Sequence, residues 1–440
     1  MQIIQEVESV ITTLKSAGFE AYLVGGCVRD YLLGKTPTDW DVATSATPEE
    51  MKNVFTGFNV IETGIKHGTL TVMMDKFPVE ITTFRIDGEY EDGRHPESVS
   101  FVRNLKLDMA RRDFTINALA CDTDGTIIDY FGGADDLEHK IIRSVGNPDE
   151  RLNEDALRIL RALRFSAVLG FEIEESLRDS LHRNLELLKK ISCERIAAEL
   201  MKMLVGQNIE EVLLEYHDIF AVFIPEIAQA VGFEQRNPHH IYDVWEHTVK
   251  ALASSCNNPL VRLTLLFHDL GKPKAYVFGD DGVGHFYKHE LYSMDIAEVR
   301  FKELKLDNNT TSIALDLIKY HGAKVPETKI LKWLNRFGEE KLRLLFEVKK
   351  GDTYGKNPAI IENRIGIIDH LISDMDVLIE EQKCYRLKDL KINGHDIINN
   401  GVPEGAEIGK MLKAILNMVM EGQIENDRVT LLSEIKRLHR

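Results

Sequence analysis

Asp39 and Asp41 are separated by a single residue, a spacing that suits metal-dependent chemistry. Side chains alternate along a β-strand, so an Asp-x-Asp pair on a strand places both carboxylates on one face, about 6 to 7 Å apart. Two such carboxylates can share a pair of Mg²⁺ ions for in-line displacement at phosphorus. An isolated Asp-x-Asp is more often a solvated acidic turn. Glu80, in the β-type run PVEITTFR, is the candidate third carboxylate if its strand lies beside that of the aspartates.

The run LVGGCVRDYLLG precedes these aspartates and predicts a strand, a turn at Gly25 and Gly26, and the start of a helix. Backbone N–H groups and the helix dipole can bind a phosphate at such a position. A Gly-Gly pair between a strand and a helix is also ordinary turn chemistry. The motif therefore indicates phosphate binding only in combination with the acidic pair.

The segment NEDALRILRALRF predicts a helix from about Glu154 to Leu169, with Asn153 as N-cap and Gly170 as C-cap. Four charged residues recur at three-residue spacing along it: Asp155, Arg158, Arg161 and Arg164. This spacing places all four on one side of a helix. Three arginines in line repel each other unless an anion lies among them, which favours anion binding over a solvated salt-bridge lattice.

The C-terminal half contains histidines and aspartates in the order H…HD…D, at positions His247, His268, Asp269 and Asp352. Imidazoles and carboxylates bind divalent metals that activate water against a phosphoester. An amphipathic pattern does not account for a His-Asp pair at consecutive positions. We therefore expect these residues to form a metal site, although a lone histidine would be interpreted as an ordinary core or surface residue.

Short β-type runs alternate with Gly or Asp residues typical of turns from Ala21 to about Ile142. Amphipathic helical segments dominate after Pro148. The predicted fold class is α+β, with a small mixed β-sheet in the first domain and an all-helical remainder. A chain of 440 residues is too long for one core, so several domains are expected. The predicted boundaries are 1–142 for the sheet domain, 143–236 for a helical neck and body, 237–355 for the metal-site domain, and 356–440 for a helical tail.

The composition excludes several classes of protein. No run of 18 apolar residues suggests a membrane span, and the acidic amphipathic N-terminus does not resemble a secretory signal, so we expect a cytoplasmic protein. The five cysteines form no CxxC pair, which argues against a disulfide framework or a cysteine zinc site. The net charge of −17 argues against non-specific coating of nucleic acid, so any RNA must be held by a concentrated basic patch.

Together, the Gly-Gly turn, the acidic pair and the arginine helix resemble the nucleotidyltransferase superfamily that includes DNA polymerase β. They resemble more narrowly the bacterial CCA-adding and poly(A) polymerase family. The resemblance implies a polymerase-β-like head in which Asp39, Asp41 and Glu80 are catalytic and the two aspartates hold Mg²⁺. It implies nucleotide contacts from Gly25, Gly26, Arg29, Arg112, Asp113, Asp155, Arg158, Arg161 and Arg164.

The same resemblance gives these contacts separate roles. Arg112 and Asp113, in the run RRDFTINALA, would distinguish a ribonucleotide through its 2′-OH. Asp155 and Arg158 would hydrogen-bond the base edges of CTP or ATP as a protein template. Two further arginines of the same helix would reach the triphosphate, and Arg195, in ISCERIAAEL, would brace the neck helices.

Three features favour CCA addition to tRNA over poly(A) tailing. The segment TGIKHGTLTVMM lacks the basic sequence typical of bacterial poly(A) polymerases, the chain is acidic, and the stretch INGHDIINNGVPEGAEIGKMLKAIL resembles the tail of CCA-adding enzymes. The polar loop from Asp87 to Val102 resembles the flexible loop needed to add the final A. The expected partners are tRNA, CTP and ATP, with no membrane. Poly(A) polymerase remains the same-class alternative, and the oligomeric state stays open.

The H…HD…D order resembles the HD phosphohydrolase superfamily. The resemblance places further ligands for a second metal at His289 and His321. Histidine ligands suit Mn, Co, Ni or Zn ions. The domain would act either as a phosphohydrolase or mainly as a scaffold. A chain in which this half does the chemistry and the N-terminal half only binds RNA is the remaining alternative, and the metal-chelating acids of the first half argue against it.

Overall fold

The computed structural model describes residues 3–75, 77–88 and 99–439. The chain divides after Pro225 into two compact units. This division is coarser than the four domains expected from the sequence, whose boundaries stay a prediction. Among the described residues, no helix combines the length and the apolar character needed to cross a membrane.

The first unit combines a β-sheet with helices. Its helices are α1 Gln5–Ser16, α2 Gly26–Leu32, α3 Pro48–Val54, α4 Leu105–Ala110, α5 Gly133–Glu138, α6 Pro148–Glu154, α7 Leu157–Leu169, α8 Glu175–Arg183, α9 Cys193–Leu204, α10 Ile209–Glu215 and α11 His217–Ala221. Its strands are β1 Ala21–Val24, β2 Asp41–Thr44, β3 Asn59–Ile61, β4 Thr69–Met74, β5 Phe77–Thr83, β6 Arg85–Asp87, β7 Val99–Phe101, β8 Leu119–Cys121, β9 Ile127–Asp129, β10 Ile141–Ile142 and β11 Glu172–Ile173.

Seven of the described strands form one mixed sheet in the order β3-β4-β5-β2-β1-β8-β9. Only the β2–β5 pairing in this sheet is parallel among the described strands, and it brings the start of β2 beside the middle of β5. The N-terminal helix α1 buries an apolar stripe that includes Val7, Ile11 and Leu14, as its amphipathic pattern predicts. The predicted α+β class and mixed sheet are confirmed.

The helix predicted from Glu154 is two helices, and that prediction was wrong at its start. Asn147, not Asn153, is an N-cap, because its side chain accepts hydrogen bonds from the first backbone N–H groups of α6. The chain is extended at Asp155 (φ −138°, ψ 101°), and α7 starts at Leu157. The Asp155 carboxylate accepts from the N–H of Leu157 at 3.0 Å, as aspartate does at helix starts. Gly170 ends α7 at φ 70°, as expected.

The loop predicted from Asp87 to Val102 connects β6 and β7, which pair antiparallel. Most of it lies outside the described residues.

The second unit is helical apart from one hairpin. Its helices are α12 Ile227–Ala230, α13 Val244–Ala253, α14 Pro259–Phe267, α15 Lys272–Ala275, α16 His289–Glu303, α17 Asn308–Tyr320, α18 Ile330–Tyr354, α19 Pro358–Glu380, α20 Gly394–Asn399, α21 Ala406–Met420 and α22 Arg428–Leu438. The hairpin consists of β12 Tyr276–Phe278 and β13 Gly284–Phe286. Helix α14 is buried around its full circumference, so it forms the centre of this unit and fixes the residues that follow it.

Candidate active site and candidate metal centre

The structure brings the predicted acidic group together at one edge of the β2–β5 pair. Asp41 is the first residue of β2 and lies in register with Glu80 of β5, so the condition set for Glu80 is met. Asp39 precedes the strand, and the expectation that both aspartates lie on it was wrong. The pairing of β2 with β5 begins only at Asp41, and the Asp39 carboxylate accepts from the N–H of Trp40 at 3.1 Å, as aspartate often does in turns.

Burial and neighbouring negative charges raise the pKa values of two members of this acidic group. Burial raises the pKa of Asp41, and Asp39 raises it further, whereas Arg112 lowers it. Burial also raises the pKa of Glu80, with added contributions from both aspartates. Clustered carboxylates whose charged forms are disfavoured are stabilised by a divalent cation. The residues present therefore fit the divalent metal that nucleotidyl transfer requires.

The Gly25–Gly26 turn joins β1 to α2 as predicted, and the backbone of Gly25 adopts a conformation that favours glycine. Gly25 has φ +75°, and a Cβ there would lie 2.8 Å from the Nη1 atom of Arg112. Arg29, on α2, donates to the Oδ1 atom of Asn117 at 2.7 Å. The turn therefore places backbone and guanidinium donors side by side at one wall of a cavity of about 510 Å³.

This cavity contains all the predicted nucleotide-binding residues and both aspartates, but Glu80 does not line it. Its cationic lining consists of Arg29, Arg111, Arg112, Arg158, Arg161 and Arg164. Its acidic lining consists of Asp39, Asp41, Asp113 and Asp155. In a chain with a net charge of −17, this concentration of guanidinium groups matches the local basic patch that nucleic-acid binding by an acidic protein requires.

Arg161 is fixed by a buried carboxylate. Its guanidinium donates to the Oδ2 atom of Asp113 at 2.5 and 2.8 Å, and Asn117 donates to the Oδ1 atom of the same aspartate at 3.0 Å. Burial alone would raise the pKa of Asp113, but Arg161 and the hydrogen bond from Asn117 lower it to about 2. Both oxygens of Asp113 are therefore engaged within the protein, and Arg161 is held in place before any ligand arrives.

Arg158 and Asp155 are also held in place, each by a neighbour from another element. Arg158 is buried, and it donates to the carboxylate of Glu154 at 2.8 Å and to the carbonyl oxygens of Arg111 (2.8 Å) and Arg151 (3.0 Å). Asp155 accepts from Arg195 of α9, at 3.0 Å for the closer oxygen. The two residues predicted to read a base are thus preorganised, which reduces the entropy lost when a ligand binds.

Arg164 and Phe165 add contacts that the sequence did not reveal. Arg164 pairs with the buried carboxylate of Glu199 at 2.7 Å and lies 4.3 Å from the centre of the Phe165 ring. The guanidiniums of Arg29 and Arg161 lie 5.1 and 5.5 Å from the same ring. Each of the three aligned arginines of α7 therefore has its own carboxylate, which explains how they coexist. Phe165 follows directly after the arginine repeat, but an aromatic residue at helical spacing would ordinarily be assigned to the core.

The four predicted HD ligands converge in the second unit. One ligand atom from each of His247, His268, Asp269 and Asp352 lies within 4.8 Å of the others, and all four residues are buried. They come from α13, from the turn after α14 and from α18. Helix α14 is surrounded by the other helices, which explains why a His-Asp pair at its end points into the interior.

His289 and His321 form a second group with Asp269. The Oδ2 atom of Asp269 lies 3.0 Å from Nε2 of His247 and 3.2 Å from Nε2 of His268. The Oδ1 atom lies 3.2 Å from Nε2 of His289 and 3.7 Å from Nε2 of His321. The carboxylate of Asp269 therefore lies between two clusters of imidazoles, and these residues would together hold divalent metal.

All four histidines are oriented by hydrogen bonds from their outer nitrogens. Their Nδ1 atoms donate to the backbone carbonyl oxygens of Gly355, Leu265, Phe286 and Ile318 at 2.8, 2.7, 2.9 and 2.7 Å. The Nε2 atoms then point inward in pairs, 3.3 Å apart for His247 and His268 and 3.2 Å apart for His289 and His321. Neutral imidazoles with Nδ1–H groups committed in this way present Nε2 lone pairs to a metal. These four histidines therefore fit the transition-metal ions expected from the sequence.

Two lysines and a fifth histidine complete the surroundings of this centre, and the sequence analysis did not identify them. Lys272 lies 2.6 Å from Asp269, and Lys356 lies 2.6 Å from Asp352. His240 packs edge-on against the ring of His247, and burial lowers its pKa to about 2. Lys272 follows the HD pair in the run HDLGKP, so its spacing from the pair was the available signal.

Comparison with known protein families gives three matches along the chain. The family described as the poly A polymerase head domain matches residues 21–143. A probable RNA- and SrmB-binding site of polymerase A matches residues 170–231, and a putative tRNA nucleotidyltransferase domain 2 matches residues 291–435. The first match covers the carboxylates and the Gly-Gly turn, and the third covers the greater part of the second unit.

Curated relatives and a solved structure align over nearly the full length. The chain is 33% identical to the CCA-adding enzyme of Lactococcus lactis subsp. cremoris, with 98% of this chain and 96% of that protein covered. It is 34% identical to the CCA-adding enzyme of Enterococcus faecalis, with the same coverage. The crystal structure of Bacillus stearothermophilus CCA-adding enzyme in complex with CTP aligns with a TM-score of 0.73 and 29% identity, covering 99% and 97% of the two chains.

Proposed function

The chain belongs to the family of CCA-adding enzymes, which are tRNA nucleotidyltransferases, and we propose that the arginine-lined cavity of its first unit is the site of this reaction. The observation that carries the proposal is the convergence of the acidic group and the aligned arginines on one cavity. CTP and ATP donate the nucleotides, and the tRNA 3′-hydroxyl attacks the α-phosphorus with release of pyrophosphate. Full-length relatives bear the CCA-adding name, which favours this activity over poly(A) tailing.

Polymerase-type nucleotidyltransferases use divalent metal, and we assign Mg²⁺ to the acidic group of this cavity. Asp39 and Asp41 are the ligands, and Glu80 adds negative charge from the neighbouring strand. Bound Mg²⁺ would activate the attacking hydroxyl and neutralise charge on the triphosphate. Oxygen ligands and a phosphate-bearing substrate are the surroundings that this ion prefers.

The remaining residues bind and orient the nucleotide. The N–H of Gly26 at the start of α2, with Arg29, contacts phosphate oxygens, and Arg161 and Arg164 stabilise the triphosphate charge. Arg112 and Asp113 lie at the ribose. Asp155 and Arg158 select the base, because one offers an acceptor and the other donors in a fixed geometry.

A direct assay tests the activity. The protein is incubated with Mg²⁺ and a tRNA that lacks its CCA end, with CTP and ATP supplied singly and together, and the 3′ ends are then sequenced. We expect CC with CTP alone and CCA with both nucleotides. Addition of long adenosine runs with ATP alone would identify a poly(A) polymerase instead.

A second activity is favoured by the position of Asp269 between two imidazole clusters. We assign to this centre two transition-metal ions, drawn from Mn, Co, Ni or Zn, and a phosphohydrolase activity. Bound ions would lower the pKa of a water molecule and hold the phosphate oxygens. Measuring the metal content of the purified chain, with hydrolysis of a phosphomonoester and a 2′,3′-cyclic nucleotide, tests both points.

A further inference from the structure

A cleft of about 590 Å³ opens beside the metal centre of the second unit. Two of the proposed metal ligands, His321 and Asp352, line one end of it. Its volume lies in the range of pockets that hold small molecules. A substrate with a phosphate at the metal centre would therefore extend its remaining atoms into this cleft.

Four cationic side chains line the cleft, and they differ in their partners. Lys356 pairs with Asp352, and Lys349 donates to backbone carbonyl oxygens of the loop after α17, at 2.6 Å for that of His321. Lys324 and Arg364 have no ion-pair partner within residues 3–75, 77–88 and 99–439. Two cations of the cleft therefore remain available to a ligand.

The cleft also has apolar lining residues, which come from the same two segments as Lys324 and Arg364. Ile367, Ile368 and Leu371 of α19 line it, with Val325 and Pro326 from the loop after α17. Ile367 is 55% exposed, although it lies on the same wall as the buried Ile368 and Leu371. An exposed aliphatic wall beside free cations suits a ligand with both an apolar body and an anionic group.

We propose that this cleft binds an organic compound with two phosphate groups, one at the metal centre and the other at Lys324 and Arg364. Lys272 and Lys356 already balance the charges of Asp269 and Asp352. Two divalent ions can then balance the charge of a single phosphate, so that phosphate needs no further cations. Two additional free cations therefore indicate a second anionic group. The apolar body lies against α19. Nucleoside diphosphates and nucleoside bisphosphates share this chemistry.

The proposal deepens the phosphohydrolase activity assigned above and rests on it. In the hydrolytic step, the oxygen of a water molecule forms a bond to the phosphorus at the metal centre, and the bond from that phosphorus to its leaving oxygen breaks. The proton of the water ends on the leaving group. No oxidant, reductant or further reactant is needed.

Rapid-mixing binding to the metal-loaded full-length chain, measured before hydrolysis proceeds, tests the second phosphate position. Adenosine 5′-diphosphate, adenosine 3′,5′-bisphosphate and adenosine 5′-monophosphate are titrated against the wild type, the double variant Lys324→Gln/Arg364→Gln, and the control variant Lys302→Gln. Lys302 is an exposed lysine of α16 outside the cleft. The double variant leaves the first unit unchanged, so a difference from wild type reports on the cleft alone.

We expect the double variant to bind one of the two-phosphate nucleotides about tenfold more weakly, with less than about a twofold change for the monophosphate. The affected nucleotide tells whether the two phosphates are adjacent or separated by the ribose. In steady-state assays of the same metal-loaded chain, kcat/KM for that nucleotide should fall by a similar factor. Equal affinities of wild type and double variant for both two-phosphate nucleotides would overturn the proposal.

The same experiment separates this proposal from the activity on which it rests. If the wild type holds metal and hydrolyses phosphomonoesters but the double variant matches it on every nucleotide, only the two-phosphate assignment fails. If the wild type holds no transition metal and hydrolyses none of the esters, the phosphohydrolase assignment fails, and the hydrolytic part of the proposal is overturned with it.

Discussion

The two sites that we propose for metal-dependent phosphorus chemistry are built in opposite ways. The cavity of the first unit combines an exposed Asp39 and a partly buried Asp41 with arginines that are each fixed by the protein. The centre of the second unit consists of histidines and aspartates that are buried, except for the partly buried His289. The Nε2 atoms of the histidines already face one another. We therefore expect a metal at the first site to need oxygen atoms of the substrate as further ligands, whereas the second site would offer a nearly full set of ligands by itself.

This difference should determine which metal each site binds and whether the metal binds before the substrate. An open carboxylate pair suits Mg²⁺, which keeps water and substrate phosphates as ligands. A closed set of imidazoles with committed Nδ1–H groups suits transition metals and holds them without substrate. Metal at the first site should follow nucleotide binding, and metal at the second should survive purification.

The largest expected effect lies at the first site, where Asp41→Asn removes a metal-binding charge and keeps the shape. We expect nucleotide addition to fall by about a thousandfold or more, or ~4 kcal/mol of transition-state stabilisation, with tRNA binding nearly unchanged. Asp135→Asn, which alters an exposed acid of α5, is the control. Addition assays and tRNA filter binding provide the measurements. Near wild-type addition by Asp41→Asn would refute the role of the acidic group.

The double variant His268→Ala/Asp269→Ala tests whether the two sites work independently. We expect metal bound after purification to drop about a hundredfold or more, because one of the lost ligands lies between both histidine clusters. Addition from CTP and ATP in Mg²⁺ should change less than about twofold. Elemental analysis and the addition assay are run beside the exposed control His395→Ala. A folded double variant that no longer adds nucleotides would show that the second unit shapes the first site.

The two sites also differ in how far the sequence could predict them. The order H…HD…D predicted the group of His247, His268, Asp269 and Asp352, because packing alone does not favour consecutive His and Asp residues in a helical unit. The resemblance to HD domains added His289 and His321, and the structure places these two histidines beside Asp269. The structure brings the residues of the first site to one cavity, but their local geometry differs from the predictions. The prediction of one helix across Asp155 missed the capping of α6 by Asn147, since both Asn147 and Asn153 are suitable caps.

Long-range pairing explains what the sequence left unresolved. Register between β2 and β5 decides whether Glu80 meets Asp41, and 39 positions separate these residues in the chain. The carboxylate partners of Arg161 and Arg164, Asp113 and Glu199, are likewise distant in the chain, whereas Arg158 pairs with the nearby Glu154. Periodicity within a helix identifies a charged face, but the carboxylates that stabilise that face come from other elements.

Base selection should respond more moderately than the chemistry does. Asp155→Ala and Arg158→Ala each remove one hydrogen-bonding group, and we expect the preference for CTP and ATP over UTP and GTP to fall about ten- to a hundredfold. Lys202→Ala on α9 is the matched surface control. Single-turnover addition of each nucleotide measures the ratio. Equal losses for all four nucleotides would mean that these residues only support the neck.

The smallest expected effect concerns the ion pair between Asp113 and Arg161, and this effect depends on pH. The pKa of Asp113 is lowered from 3.8 to about 2, so its ionised form stabilises the folded state above pH 3.8, and this contribution is lost as the pH falls toward 2. Because the Arg161 side chain is about one-third exposed, solvent screening reduces the stabilisation by this ion pair. Asp113→Asn should therefore lower the free energy of unfolding at pH 7 by about 1 to 2 kcal/mol.

The stability deficit of Asp113→Asn relative to wild type should narrow between pH 4 and pH 2. Urea unfolding across this range, with the exposed Asp280→Asn as control, measures it. A deficit that stays constant down to pH 2 would mean that Asp113 stabilises the unit by packing or neutral hydrogen bonds, and that Arg161 is held in place by some other contact.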